Sequence, residues 1–332
     1  SKWFPCNKGG EYRRWYGNND YFIDWENDGY KLKNFRHPDG RQKSRPQNLS
    51  YMGKEGLTYT NISSSNFGIR YSPKGTLFDA AGSMIFTKSD ELHYLLGLLS
   101  SKVVAYMTKF LSATMSFEVG QLSNLAILYE RENKPRIDTI VTDNISISRA
   151  DWDSFETSWD FKRHPLLVYG YQNDYGLVDA ENLTQPLIYD TEKQIFEEKK
   201  GERKHPNRCL LEDCYNTWKQ VCEERFIKLK ANEEELNRIF IEIYGLQNEI
   251  TPEVEDKDVT VYRIFDSKED IPESMAGSRY ALTKQDVIKS FISYAVGCMF
   301  GRYSLDVEGL AFAGGCFSDQ WVVVSGQYYR KE

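Results

Sequence analysis

Between Thr87 and Leu128 apolar residues recur at steps of three and four: Leu92, Leu95, Leu96, Leu99, Val103, Tyr106, Met107 and Phe110. That spacing predicts one amphipathic helix of roughly 20 residues, capped by Thr87 or Ser89. Ser100, Ser101, Lys102, Thr108 and Lys109 break the apolar run, so one face is wet and the element is a scaffold helix, not a membrane span. Just upstream, from Leu57 to Phe86, the pattern changes to alternation in period two, cut by Ser-Ser-Ser-Asn, Ser-Pro-Lys-Gly and Ala-Ala-Gly. Three short strands closing a sheet against the helix are expected there. Turn signals at Gly9-Gly10, Gly17-Asn18-Asn19, Asp28-Gly29 and Pro38-Asp39-Gly40 make the first segment a β-meander with long polar loops.

Downstream the period is helical again. Ser148-Arg149-Ala150-Asp151 is placed to cap a short helix carrying Trp152, Phe155, Trp159 and Phe161. Leu211, Tyr215, Trp218, Cys222, Phe226 and Leu229 form one stripe, and Leu236, Ile239, Phe240, Ile243 and Tyr244 another. Asn232 with Glu235 reads as a capping box for the second, Gly245 as its stop, and the short connection favours an antiparallel pair. Residues 196 to 207 read as a solvated, charge-rich link, and residues 251 to 281, acidic and punctuated by proline, as a linker. Thr283 to Arg302 is apolar nearly all round and is expected to be buried, on the spacer helices or on a domain outside this chain. The pattern gives an α+β chain: a β-rich domain with a central amphipathic helix over 1–148, a helical spacer over 149–250, and a linker plus C-terminal helical segment over 251–332.

A chain of 332 residues, 40% hydrophobic and 14% aromatic, can bury a sizeable core. Neither a charged-then-apolar leader nor a long uncharged apolar run is found, and a cytoplasmic protein without a membrane partner is expected. The six cysteines match no metal-ligand spacing and read as buried thiols of a reducing compartment.

Charge adds a partner signal. Residues 1 to 75 hold 13 Lys/Arg against 7 Asp/Glu, a net of +6, whereas the whole chain is −7, leaving −13 for the remainder. In the basic segment cations alternate with aromatic rings: Arg13, Arg14, Trp15 and Tyr16, then Tyr30, Lys31, Lys33, Phe35 and Arg36, then Arg41, Lys43, Arg45 and Gln47. Cations neutralise phosphates, flat rings stack on or wedge between bases, and Arg or Gln can read base edges, so duplex DNA is the expected partner. Half-buried strands produce similar compositions. Arg70 and the serines at 63 to 65 either touch phosphates or are turn residues bonded to their own backbone.

Seven stretches in order carry a resemblance: KWFPCNKGGEYRRWYGNNDY, SRPQN, FDAAGSMIF, YLLGLLSSKVVAYM, FEVGQLSNLAI, SRADWDSFETSWDF and ISYAVGCMFGRYSLDVEGLAFAGG. Together they resemble the C-terminal half of the PglX family, adenine-specific DNA methyltransferases of BREX phage-defence systems, related in layout to single-chain restriction-modification enzymes. The resemblance implies a target-recognition domain leading into a helical spacer. It also implies that Lys8, Gly9, Gly10, Arg13, Arg14 and Trp15 face DNA beside the flipped adenine, at the junction with an N-terminal methyltransferase domain. Amino-methyltransferases need a glycine loop for S-adenosylmethionine and an Asn/Asp-Pro-Pro-Tyr/Phe element for the extruded base. Pro-Pro occurs nowhere in this chain. The expectation is a recognition piece with no cofactor of its own, beginning just after the catalytic domain, with S-adenosylmethionine bound elsewhere in the parent protein.

Other chemistry is poorly supported. Asp190 with Glu198-Lys199-Lys200 has the loose outline of a nuclease site on a hydrophilic stretch, and His37, His93, His164 and His205 are isolated from one another. A competing reading comes from the −13 balance after residue 76 with Trp152 and Trp159: a protein-interaction scaffold that docks other BREX proteins or a DNA-mimic inhibitor. The acidic neighbours of those tryptophans favour a role as glue between recognition domain and spacer over base stacking.

Overall fold

The computed structural model describes residues 2–61, 67–111, 119–169, 211–311, 321–324 and 327–330. Its architecture is α+β. Strand β1 (Trp3–Asn7) pairs antiparallel with β2 (Tyr21–Asp24). Helix α1 (Glu26–Lys33) follows, interrupted at its start by left-handed Asn27, Asp28 and Gly29. Strands β3 (Gly56–Thr60), β4 (Ile69–Ser72), β5 (Leu77–Phe78) and β6 (Gly82–Ile85) come next. β5 runs parallel to β1, and β4-β3-β6 form an antiparallel sheet whose Leu57, Tyr59 and Ile69 are fully buried. The period-two expectation for Leu57 to Phe86 holds, with a fourth short strand.

The expected helix over 87–110 is instead two, α2 (Leu92–Leu99) and α3 (Lys102–Leu111). The break falls at Ser100-Ser101, where the Ser101 hydroxyl donates to the Leu98 carbonyl (2.7 Å), a local bond that competes with helix propagation. Neither Thr87 nor Ser89 caps α2; Thr87 donates to the Glu91 carboxylate instead. After α4 (Val119–Leu122), helix α5 (Lys134–Trp152) runs straight through the expected cap, so Ser148 and Asp151 are buried in its last turns.

The largest departure is α7 (Leu211–Tyr244), one continuous helix of 34 residues where an antiparallel pair was expected. Its buried positions Trp218, Cys222, Phe226, Leu229, Asn232, Leu236 and Phe240 keep steps of three or four across the supposed turn. Asn232, read as a cap, is buried and donates its amide to the Asn144 side chain on α5 (2.8 Å). At about 1.5 Å per residue α7 reaches roughly 50 Å, and α2, α3 and α5 pack along it. Gly97 permits the approach of α2 to α5, since a Cβ there would lie 3.0 Å from Val141 and 3.2 Å from Ile137.

Residues 251 to 281 are not a linker. Val254, Val259, Val261, Ile264 and Met275 are buried there, and β7 (Arg263–Phe265) pairs in parallel with β8 (Ala281–Thr283). The main core therefore draws on residues from each of the spans 1–148, 149–250 and 251–332. α6 (Pro165–Val168) packs on α7. Helix α8 (Lys284–Met299) starts at the Thr283–Asp286 capping box but is buried on one side only. β9 (Trp321–Val324) and β10 (Gln327–Arg330) form a hairpin. Among the described residues no helix is long and apolar enough to cross a membrane. Cys6, Cys214 and Cys222 are buried and form no disulfide, and Cys298 is half-buried; Cys209, Cys316, the serines at 63 to 65, Asp190, Glu198, Lys199, Lys200, His205 and the link over 196–207 lie outside the described residues.

His164, 2% exposed, joins α6 to α8. Its Nδ1 accepts from the Leu166 amide and its Nε2 faces the Ser290 hydroxyl at 3.0 Å. Ser290 spends its own proton on the Val287 carbonyl, so Nε2 carries the imidazole proton and the neutral ring is satisfied at both nitrogens. Burial pushes the ring from 6.5 down to about 4. A depressed folded value means that the unfolded chain takes up the proton first, so stability falls as pH drops through that window, by about 3 kcal/mol in full. Thermal melts at neutral pH and near the lower end of the window should show this loss, and His164→Gln should flatten it. An equal slope in the variant would contradict the assignment.

Candidate nucleic-acid interface

The basic-aromatic run at 13–16 occupies the interior. Trp15 adopts a left-handed backbone (φ 69°), rare for a bulky residue, and splices the chain beside β4: its amide donates to the Ile69 carbonyl and its carbonyl accepts from Tyr71. That conformation throws the neighbouring side chains inward to separate partners. Arg13, 2% exposed, donates from Nη2 to Asp151 (2.8 Å) and to the Ser148 carbonyl, and from Nε to the Tyr16 carbonyl, with Trp152 5.0 Å from its guanidinium carbon. Arg14 donates to Glu233 on α7 (2.7 Å) and to the Asp258 carbonyl. The other Glu233 oxygen accepts the Trp15 indole N–H at 2.7 Å. The acids sit on α5 and α7, so these contacts span more than a hundred residues of sequence.

Arg13, Arg14, Trp15, Tyr16 and Arg70, expected to face DNA, lie instead in the interior. All five are buried, and the first two are locked in internal ion pairs whose removal from water only a charged partner can offset. Arg70, 1% exposed, lies behind Trp15, where burial pushes its guanidinium down to about 10. Gly9 and Gly10 also serve packing: a Cβ on Gly9 would lie 2.9 Å from the Ala81 carbonyl oxygen, and one on Gly10 would lie 2.7 Å from the Asn18 amide. Gly9 is buried; Gly10 remains at the surface.

The remaining candidates Lys8, Arg41, Lys43 and Arg45 are exposed. They belong to the β1–β2 edge and the excursion between α1 and β3, where cations lie over exposed rings. Lys8 is 5.0 Å from the Tyr21 ring, Lys43 4.7 Å from Phe35, and Lys54 4.7 Å from Tyr51. Among the described residues Lys8, Lys43, Arg45 and Lys54 form no ion pair, whereas Arg41 is held by Asp39 and Lys31 by Asp24. Their charge is free to meet a polyanion, and the rings beneath hold flat apolar faces at the same level. Sequence reasoning missed Lys54, Tyr51 and Tyr21; the same adjacency of cation and ring pointed to Tyr51–Lys54.

No protein-family model matches the chain. Over 315 residues, 94% of its length, it is 38% identical to the adenine-specific methyltransferase PglX of Lacticaseibacillus casei. It is 29% identical over 316 residues to the adenine-specific methyltransferase BrxX of Escherichia coli O9:H4. The chain is thus homologous to a stretch of these methyltransferases and spans about a fifth of their length, 22% of each.

Proposed function

We infer that this chain, homologous to a segment of two adenine-specific methyltransferases, holds and reads duplex DNA for such an enzyme and does not itself transfer the methyl group. The observation that carries the reading is the exposed set of unpaired cations over rings at Lys8/Tyr21, Lys43/Phe35 and Lys54/Tyr51, presented at a sheet edge and an excursion anchored to a packed frame. Homology to methyltransferases supplies the context, and the absence of Pro-Pro from the sequence fits a division of labour. S-adenosylmethionine and the groups acting on adenine then belong to the portion of the relatives outside this stretch, and duplex DNA and that catalytic portion are the partners. The position of the stretch at the C-terminal end of the parent, and contact with other BREX proteins, belong to the same reading.

Anisotropy titration of a labelled duplex over a salt series tests it. The logarithm of affinity should fall linearly with that of salt, and Lys43→Ala with Lys54→Ala should shallow the slope by roughly one unit per lost phosphate contact. Salt-independent affinity, or an unchanged slope in the double variant, would remove this surface from the reading.

A further inference from the structure

A cavity of about 470 Å³ lies between the end of β2's leading turn, the turn after α5 and the C-terminal end of α8. Its lining includes Trp159, Phe300 and Tyr303 together with the charged residues Asp20, Glu156 and Arg302. Trp159 is fixed as a wall because its indole N–H donates to the Asp20 carbonyl (3.3 Å) and its ring meets Phe22 edge-on at 4.4 Å. One Glu156 oxygen is buried, and burial, helped by the Glu156 carboxylate beside it, pushes the Tyr303 hydroxyl up. Away from the cavity, Ile288, Ile292, Val296 and Met299 form an exposed stripe on α8, 44%, 56%, 43% and 82% exposed, that leads to Phe300, 82% exposed. Sequence pattern expected α8 to be buried all round, and this side of it is exposed.

We propose that the cavity receives an arginine or lysine side chain from a partner polypeptide whose apolar residues lie along α8. Aromatic walls with a net acidic lining suit a flat or compact cation, which gains from both the ring faces and the charge. Arg302 leaves the lining at a formal excess of one negative charge. That excess disfavours phosphate, and this separates the cavity from the DNA surface on the α1–β3 excursion. The stripe selects a polypeptide over a free amine because only a chain can present apolar groups and a cation together.

Saturation-transfer NMR and calorimetry with three probes test the proposal on the full chain and two single variants. N-acetyl-arginine amide should bind about tenfold tighter than N-acetyl-citrulline amide, which keeps shape and loses charge. N-acetyl-Leu-Leu-Arg amide should bind tighter again, with that gain lost in Ile292→Asp, and Glu156→Gln should weaken both arginine probes. Equal binding of the arginine and citrulline amides, preference for deoxyadenosine monophosphate, or no gain from the leucines would each overturn the assignment. These readouts contain no DNA, so they fail or succeed independently of the DNA reading.

Discussion

Replacing Glu233 with alanine is expected to destabilise the fold by about 3–5 kcal/mol, because it strands a buried guanidinium and an indole N–H at once. Glu233 is 2% exposed and accepts from Arg14 through one oxygen and from Trp15 through the other. It is also the point at which α7 holds the N-terminal segment, so its loss loosens the contact between the β-rich part and the long helix. Urea melts should show a lower midpoint. An unfolding free energy within about 0.5 kcal/mol of the wild type, the scale of an ordinary surface change, would contradict the structure.

The second large effect is at Asp151. Its Oδ2 holds Arg13, and its Oδ1 accepts the Tyr262 amide at 3.0 Å, so a single carboxylate joins the N-terminal segment, α5 and the strand region around β7. Asp151→Ala should cost about 3–5 kcal/mol for the same physical reason. Arg13→Lys keeps the charge but not the fork that reaches Asp151, Ser148 and Tyr16 together, and should give an intermediate loss. Duplex affinity of whatever fraction stays folded should be unchanged in Arg13→Lys, whereas a DNA-contacting arginine would lose affinity while the midpoint held.

Local pattern carried much of the fold. Period two marked β3 to β6, and the apolar run from Thr283 marked α8, because both signals are set by neighbours in sequence. What the pattern missed depended on distant partners. Asn232 looks like a cap until Asn144 is known to face it. The proline-punctuated stretch after residue 250 looks like a linker because its buried valines are interspersed with acids. Trp15 shows most clearly why the candidate site was half legible: a run of cations and rings has one composition whether it faces solvent or an acidic interior. The acids that decide the matter, Asp151 and Glu233, lie 138 and 218 residues away. Farther along, Lys43 and Arg45 lie at the surface, as their composition suggests, because an exposed excursion has no distant acids to draw them inward.

Lysine acetylation footprinting with and without duplex DNA tests the central claim most directly. Protection at Lys8, Lys43 and Lys54, with Lys219, Lys284 and Lys289 on α7 and α8 labelled equally in both states, is the predicted result. Protection confined to the helical lysines, or none at Lys8, Lys43 and Lys54 under conditions where the duplex is bound, would contradict it.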